Sequence, residues 1–549
     1  MIHPFTLYRT LRHLRREQLV GQAKHRLLRW FEDPARLARR AVPSWPGLRQ
    51  RESPPGYLIP SNALSHLPSD ILGGDFAFLN RKERLGWPPD WQPREVLKLW
   101  LYNLHYMDWL WVLKYPEARA AAEYWIATYR PVSHLDGWEP FPISLRVSNW
   151  LGYFFVHHWE ETLSDTAWRD QLWGSIYLQL EWLAGHLEYR LLGNHLFENA
   201  VTLALAGALL DGHDAERWGR TGREVLRREI PEQILPDGMH FERSPMYHAR
   251  ILYLLELLMD TGDPELSELV SEPRGRMKQA LAAMTHPDGQ IALLNDAAFG
   301  VAPKPGQLVE QEDLRREGAF ALPDAGYYGF RDGEGMYLVC DAGRIGPDYI
   351  PGHAHGDLLS FELSIGGLRF ITDSGVAEYR PGPLRSYARS TRAHNTMEIN
   401  GQDQCEFWSG FRVGRRAYPI RGRWQPHPYG FFLEATHTGY DHLPGRPRHS
   451  RQFQSNPGEL LIHDWLKGGR DARGIVRMHF HPSVVLQPSG ERKFLAERDG
   501  KRLWIRIPDA EVRVGESRYC PEFGLALERK TLEVEVSGSA NALDWSLSW

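Results

Sequence analysis

A chain of 549 residues exceeds what one hydrophobic core comfortably serves, so at least two domains are expected. Apolar content of 42% and charge of 24% fit a folded globular protein, and 65 basic against 69 acidic residues exclude a general nucleic-acid binder. Cys340, Cys405 and Cys520 are too few and too scattered for a disulfide framework or a CxxC metal site, and they fit a reducing compartment. The 21 Trp and 22 Tyr suit either a large aromatic core or a protein that stacks on sugar rings.

The N-terminal FTLYRTLRHLRREQLVGQAKHRLLRW lacks the continuous apolar stretch of a secretory signal, and no apolar run reaches the ~18 residues of a membrane span, so the sequence points to the cytoplasm. It predicts one basic amphipathic helix. Docking on the protein's own surface is the expected role, with peripheral membrane contact as the alternative. Residues 1–90 are expected to pack, as this helix and an irregular segment, on the domain that follows.

Between residues 91 and 318 the apolar spacing is helical, as in VLKLWLYNLHYMDWLWVL, LWGSIYLQLEWLAGHL, LFENAVTLALAGALL and HARILYLLELLMDTG. Consecutive helices without intervening strands predict stacked helical hairpins, in a bundle or a toroid. From residue 319 to 549 the texture changes to short alternating runs such as MYLVCDAG, GFFLEATHTG, VRMHFHP and TLEVEVSG, the pattern of an antiparallel β-sandwich. Gly366-Gly367 within SFELSIGGLRFITD can supply the positive φ angles of a two-residue hairpin turn. The fold class expected is therefore multidomain α+β.

Three polar clusters interrupt these apolar elements. The first, GNHLFENA, places Asn194, His195 and Glu198 on the first turn of a helix, where Asn194 is either a plain N-cap or part of a site. The second, DGMHFERSPMYH, sets Tyr247 at a helix entrance, either as a packing ring or as an acid/base tyrosine whose pKa is lowered by cationic neighbours such as Arg243 and His248. The third combines GHAHGD, DSG and RAHNT. In extended chain His353 and His355 point to one face, and the hairpin returns Asp373 toward them, so His355, Asp373 and His394 make a plausible Zn²⁺ set.

Together with LWLYNLHYMDWL and SLRVSNW, these segments resemble the heparinase II/III group of polysaccharide lyases, in the branch associated with bacterial exopolysaccharide clusters. The resemblance runs by motif from about residue 90 to 420. It implies an N-terminal (α/α) toroid of helical hairpins followed by a C-terminal antiparallel β-sandwich, and β-elimination of a uronic-acid-containing polysaccharide. It implies that Asn194, with His195, neutralises the uronate carboxylate. Tyr247 would serve as general acid, and as base for one C5 configuration, with His353 the base for the other. His355, Asp373 and His394 would bind a largely structural zinc, while Arg146, Glu198 and Tyr387 would contact sugar or support the site. The substrate partner is an acidic polysaccharide or oligosaccharide, and the resemblance brings in a periplasmic or cell-envelope setting.

Three rivals stand beside this reading. A uronate C5-epimerase shares the proton abstraction, and unsaturated product distinguishes the lyase. A helical-barrel hydrolase needs paired carboxylates, and no obvious pair is present. A non-catalytic glycan-binding protein of exopolysaccharide assembly would not need Asn194, Tyr247 and His353.

Overall fold

The computed structural model describes residues 3–31, 37, 39–50, 55–130, 136–469, 471–507, 509–536 and 542–549. Contacts divide the chain into two compact units that interleave along the sequence. A strand-rich unit holds Met1–Leu14, Ile234–Ala249 and Gly275–Trp549, and a helical unit holds Arg15–Gln233 and Arg250–Arg274. The sequence predicts instead three consecutive segments, 1–90, 91–318 and 319–549.

The helical unit is a succession of apolar helices, including Tyr115–Thr128, Pro140–Trp150, Thr166–Gly185, Gly193–Leu209 and His213–Gln233. The last two form a hairpin whose contact surface is glycine. A Cβ on Gly207 would stand 2.4 Å from the Gly219 Cα, and one on Gly222 would stand 2.6 Å from the Ala200 carbonyl oxygen. Such an approach brings backbone against backbone and leaves no room for a methyl group. Tryptophan fills much of the remaining interior: Trp100, Trp109, Trp125, Trp150, Trp168 and Trp218 are all fully buried. Part of the aromatic surplus seen in the composition is thus core.

In the strand-rich unit every strand pairing is antiparallel. Five strands, Gly318–Leu322, Tyr327–Arg331, Tyr337–Asp341, Phe361–Ile365 and Leu368–Ile371, run as a meander. The expected turn joins the last two, with Gly366 at φ 56° and Gly367 at φ 84°. A second sheet has eight strands and a third has four, and one core takes side chains from all three, among them Leu338, Phe361, Phe431, Phe453, Val476 and Leu532. The five-stranded sheet is covered on its other face too, where Tyr327, Tyr337 and Val339 meet Met239, Ala280, Met284 and Leu294. YLVCD and FELSI are buried at every position, where the sequence predicts alternation, because this sheet is covered on both faces.

Deep in this unit Arg451 holds several segments at once. Its guanidinium pairs with Asp464 at 2.7 Å and donates to the carbonyls of Leu359 and Asn395. The N-terminal segment departs from expectation, being two helices, Pro4–Leu11 and Arg16–Phe31, rather than one. Among the described residues no helix is long and apolar enough to cross a membrane.

Candidate active site

The strand-rich unit gathers Tyr247, Asp296, His353, Tyr379 and Arg385 into one constellation, in which Asp296 and Arg385 are buried and the three rings are half-buried. The Tyr247 and His353 rings lie 4.0 Å apart, and the Tyr247 hydroxyl is 2.9 Å from that of Tyr379. Asp296 organises the group. Its Oδ2 is 2.8 Å from His353 Nδ1, its Oδ1 is 2.8 Å from His355 Nε2, and both oxygens accept from the Arg385 guanidinium. Burial opposes a charge on Asp296, but Arg385, His353 and His355 together hold its carboxyl well below the usual carboxylate range.

His353 and His355 do share a direction, as the HxH spacing suggested, because both reach Asp296. The segment is not a strand, however, since Pro351–His353 forms a 3₁₀ turn. A proton on His353 Nδ1 directed at Asp296 leaves Nε2 with its lone pair. Glu242 Oε2 lies 3.4 Å from that nitrogen, placed to favour a proton there once one has been taken up.

The expectation that cationic neighbours lower the Tyr247 pKa is overturned. Burial raises it, and Asp296 and Glu242 raise it further, against the hydrogen bond from Tyr379 and the charge of Arg385. The sequence neighbours are engaged elsewhere. Arg243 donates to the carbonyls of Ala325, Asp324 and Phe241, while His248 accepts from the His240 N–H and contacts the Met277 carbonyl oxygen. These causes favour the neutral phenol at Tyr247.

Beside this constellation, His355, Asp373 and His394 form a fully buried group whose candidate ligand atoms lie within 4.8 Å of one another. His355 Nδ1 and His394 Nε2 are buried without a hydrogen-bond partner, which is costly unless a cation or water takes them. Their opposite nitrogens are held, His355 Nε2 by Asp296 and His394 Nδ1 by Asp373 at 2.9 Å. One imidazole nitrogen from each histidine and one Asp373 oxygen lie near enough to share an ion, so the group could hold a metal ion. The DSG glycine fixes Asp373 locally: Gly375 has φ 63°, and a Cβ there would stand 2.3 Å from the Cys520 carbonyl oxygen.

The helical unit carries the other sequence candidates. Helix Gly193–Leu209 is not capped by Asn194. Its N-cap is Leu192, at φ 63° and ψ −154°, in a region that side chains rarely occupy and that costs of order 1–3 kcal/mol. Gly193 follows at φ 54°, which places Asn194 in the first turn. The Asn194 amide makes no hydrogen bond to a described residue, and it stands where helix N–H groups and the macrodipole favour an anion. His195 is anchored by Glu188, 3.2 Å from its Nδ1, and stacks on Phe141. Burial works against the charge of Glu188, but His195, Arg190 and Asn199 keep its carboxyl below the usual range.

Three candidates are turned to structural work. Glu198 is buried and takes both bonds of Arg250, at 2.6 and 3.2 Å. Arg146 is fully buried, donating to Gln179 Oε1 and to the carbonyls of His105 and Gly137 with its guanidinium 4.1 Å above Trp125. Neither is open to a sugar from within its own unit. Tyr387 is half-buried on helix Pro383–Arg389, and its hydroxyl accepts from the Arg518 N–H at 3.3 Å. On that same helix it is Arg385 that reaches the constellation.

Sequence reasoning missed Asp296, Tyr379 and Arg385. The signal for Asp296 was a lone Asn-Asp pair closing an apolar run, with Asn295 at φ 56° and its Oδ1 accepting from the His355 N–H.

Comparison with known proteins agrees with the architecture and the motifs. Residues 97–301 match the heparinase II/III N-terminus, and residues 314–549 match the heparinase II/III-like C-terminal domain. A protein of Pedobacter heparinus named heparin-sulfate lyase is 28% identical over 411 residues, which cover 68% of this chain. The chain spans 59% of the length of that relative. Among solved structures, heparinase III aligns with a TM-score of 0.70 at 17% identity, over 94% of this chain and 88% of its own. A mutant heparan sulfate lyase, HepC of Pedobacter heparinus, aligns with a TM-score of 0.61 at 20% identity, over 96% and 88%. These likenesses show the fold, an (α/α) toroid of helical hairpins followed by an antiparallel β-sandwich. With both of its parts matched, the chain belongs to the heparinase II/III family.

Proposed function

We propose that this protein is a polysaccharide lyase that cleaves a uronic-acid-containing glycan by β-elimination. The observation that carries the reading is the Tyr247–His353 pair, a phenol ring 4.0 Å from an imidazole, tilted by 32°, whose Nδ1 faces a carboxylate held well below its usual range. Elimination needs one group to take the proton at C5 and another to protonate the leaving oxygen. His353 Nε2 is suited to the first task, with Asp296 and Glu242 stabilising the imidazolium that forms, and Tyr247 to the second. Each role is worth typically ~10²–10⁴ in rate.

A proton beside a carboxylate leaves only if the developing enediolate is stabilised. We assign that task to Asn194 and His195, with the helix N-terminus behind them. We further assign zinc to His355, Asp373 and His394, a nitrogen and oxygen donor set that suits it. The ion would neutralise the buried carboxylate and fix the segment carrying His353, so its part is largely structural.

Incubation with heparan sulfate and other uronate-containing polysaccharides, followed by ultraviolet absorbance, tests the proposal. A rising absorbance from the conjugated double bond supports elimination. Exchange of the C5 proton with solvent, without unsaturated product, replaces the lyase by an epimerase. Binding without either reaction leaves only a glycan-binding protein.

A further inference from the structure

The two N-terminal helices are docked the wrong way out. In Pro4–Leu11 the buried residues are Thr6 and Thr10, which hydrogen-bond to Glu406 and to the Val413 carbonyl, and Thr10 also accepts from the Trp408 indole. Its apolar residues Phe5, Leu7, Tyr8 and Leu11 are exposed, Phe5 by 65% and Tyr8 by 63%. The described side chains of helix Arg16–Phe31, those up to Leu27, repeat the inversion. The helix turns Gln18 and Gly21 inward, where a Cβ on Gly21 would stand 2.8 Å from the Arg190 nitrogen, and presents Leu19, Val20 and Leu27 outward. Residues 16, 19, 20, 23 and 27 fall on one helical face.

Helices on a water-soluble surface bury the apolar stripe and expose the polar one. Of the twenty exposed large hydrophobic side chains among the described residues, seven lie between Phe5 and Leu27. Such clustering marks an interaction surface.

Charge identifies the partner. Residues 1–31 contain seven basic side chains and one acidic one, Glu17, in a chain whose net charge is −4. Arg9 and Arg15 are engaged by Glu406 and Glu232. Arg12, Arg16, Lys24 and Arg26 are exposed and form no ion pair with a described residue. Apolar stripes flanked by unpaired cations would repel a second copy of themselves. They complement a surface that is apolar within and anionic at its boundary.

We propose that each of these helices, taken by itself on its own unit, binds an anionic lipid bilayer, with Phe5 and Tyr8 of the first and Leu19, Val20 and Leu27 of the second entering the headgroup–acyl boundary and Arg12, Arg16, Lys24 and Arg26 contacting lipid phosphates. Neither helix is long, and interfacial binding of this kind draws on apolar burial and charge together. It is independent of the reaction assigned above.

Co-sedimentation of the full chain with vesicles of phosphatidylcholine, alone or mixed with phosphatidylglycerol, tests the proposal. Binding to the mixed vesicles, weakened by salt and much reduced on phosphatidylcholine alone, is expected. The variants Phe5→Ser/Tyr8→Ser and Leu19→Ser/Val20→Ser/Leu27→Ser should each lower partitioning at least ~10-fold. Replacing Arg12, Arg16, Lys24 and Arg26 by Gln should lower it by roughly fivefold per residue. Because every altered side chain is exposed, thermal unfolding midpoints should stay at the parent value, which separates lost binding from lost folding. No sedimentation with mixed vesicles, or undiminished sedimentation of the Ser variants, would overturn the proposal. So would a dimer in solution, without lipid affinity, that the Ser variants dissociate.

Discussion

The hydroxyls of Tyr247 and Tyr379 stand 2.9 Å apart, so one half-buried phenol orients the other before any substrate arrives. Because Tyr379 can give or accept that hydrogen bond, it positions the Tyr247 proton without supplying a charge. Tyr247→Phe should leave folding intact and lower elimination by at least ~10²-fold, the lower end of an acid/base contribution. Tyr379→Phe should cost less in kcat and shift the pH profile, since the ring remains while the orienting hydroxyl is gone. Initial rates of unsaturated product across pH check both, and parent-level turnover by Tyr247→Phe would remove it from the mechanism.

Asn194 is free of structural hydrogen bonds to described residues, so its loss should be felt in chemistry rather than stability. Asn194→Ala is expected to lower kcat by about 10²–10³-fold, comparable to removing one oxyanion-hole donor, with an unchanged unfolding midpoint. An effect confined to KM would assign the residue to uniform substrate binding instead.

The open nitrogens of His355 and His394 predict one equivalent of zinc in protein purified without chelator. Removing it should lower the unfolding midpoint even with no substrate present, because the freed donors are buried. His394→Ala should abolish the bound metal and bring a comparable loss of stability. Elemental analysis together with calorimetry decides this, and full stability without any metal would make the group a plain hydrogen-bonded cluster.

Much of what the fold does was legible in the residues. The Gly366-Gly367 turn, the helix run through LFENAVTLALAGALL and the convergence of His355, Asp373 and His394 all follow from short-range pattern plus one hairpin. What pattern could not carry was partnership across long sequence separations. Asp296 meets His353, His355 and Arg385, the last 89 residues away, and the Asn-Asp pair that marks it does not name those partners. The Tyr247 environment failed for the same reason, since Arg243, four residues before it, spends its guanidinium on carbonyls near residue 325. The inward-facing threonines of Pro4–Leu11 reverse what amphipathicity alone suggests, because Glu406 and Trp408 reward polar contacts there.

That attachment should respond to acid. Burial pushes the Glu406 carboxyl up, but Arg9, Thr6 and the Arg415 N–H outweigh it and bring its pKa down to about 2. A folded-state pKa below the unfolded value contributes stability that is fully present above about pH 4.3 and is lost as the pH falls through about 2. Amide exchange across residues 4–11 should therefore accelerate over that window, and Glu406→Gln should show fast exchange already at neutral pH. Protection that persists unchanged in Glu406→Gln would show that other contacts hold the helix.

The sharing of Asp296 by His353 and His355 makes the two histidines thermodynamically inseparable. With one carboxylate oxygen committed to each and Arg385 bridging both, displacing either imidazole redistributes the same negative charge over the other. Substitutions at His353 and His355 should accordingly combine non-additively, with a coupling energy in the ~0.5–3 kcal/mol range found for residues sharing a partner. Genetic change at this centre would then be epistatic: a replacement tolerated at one histidine depends on what stands at the other, so the permitted routes pass through Asp296 and Arg385 first.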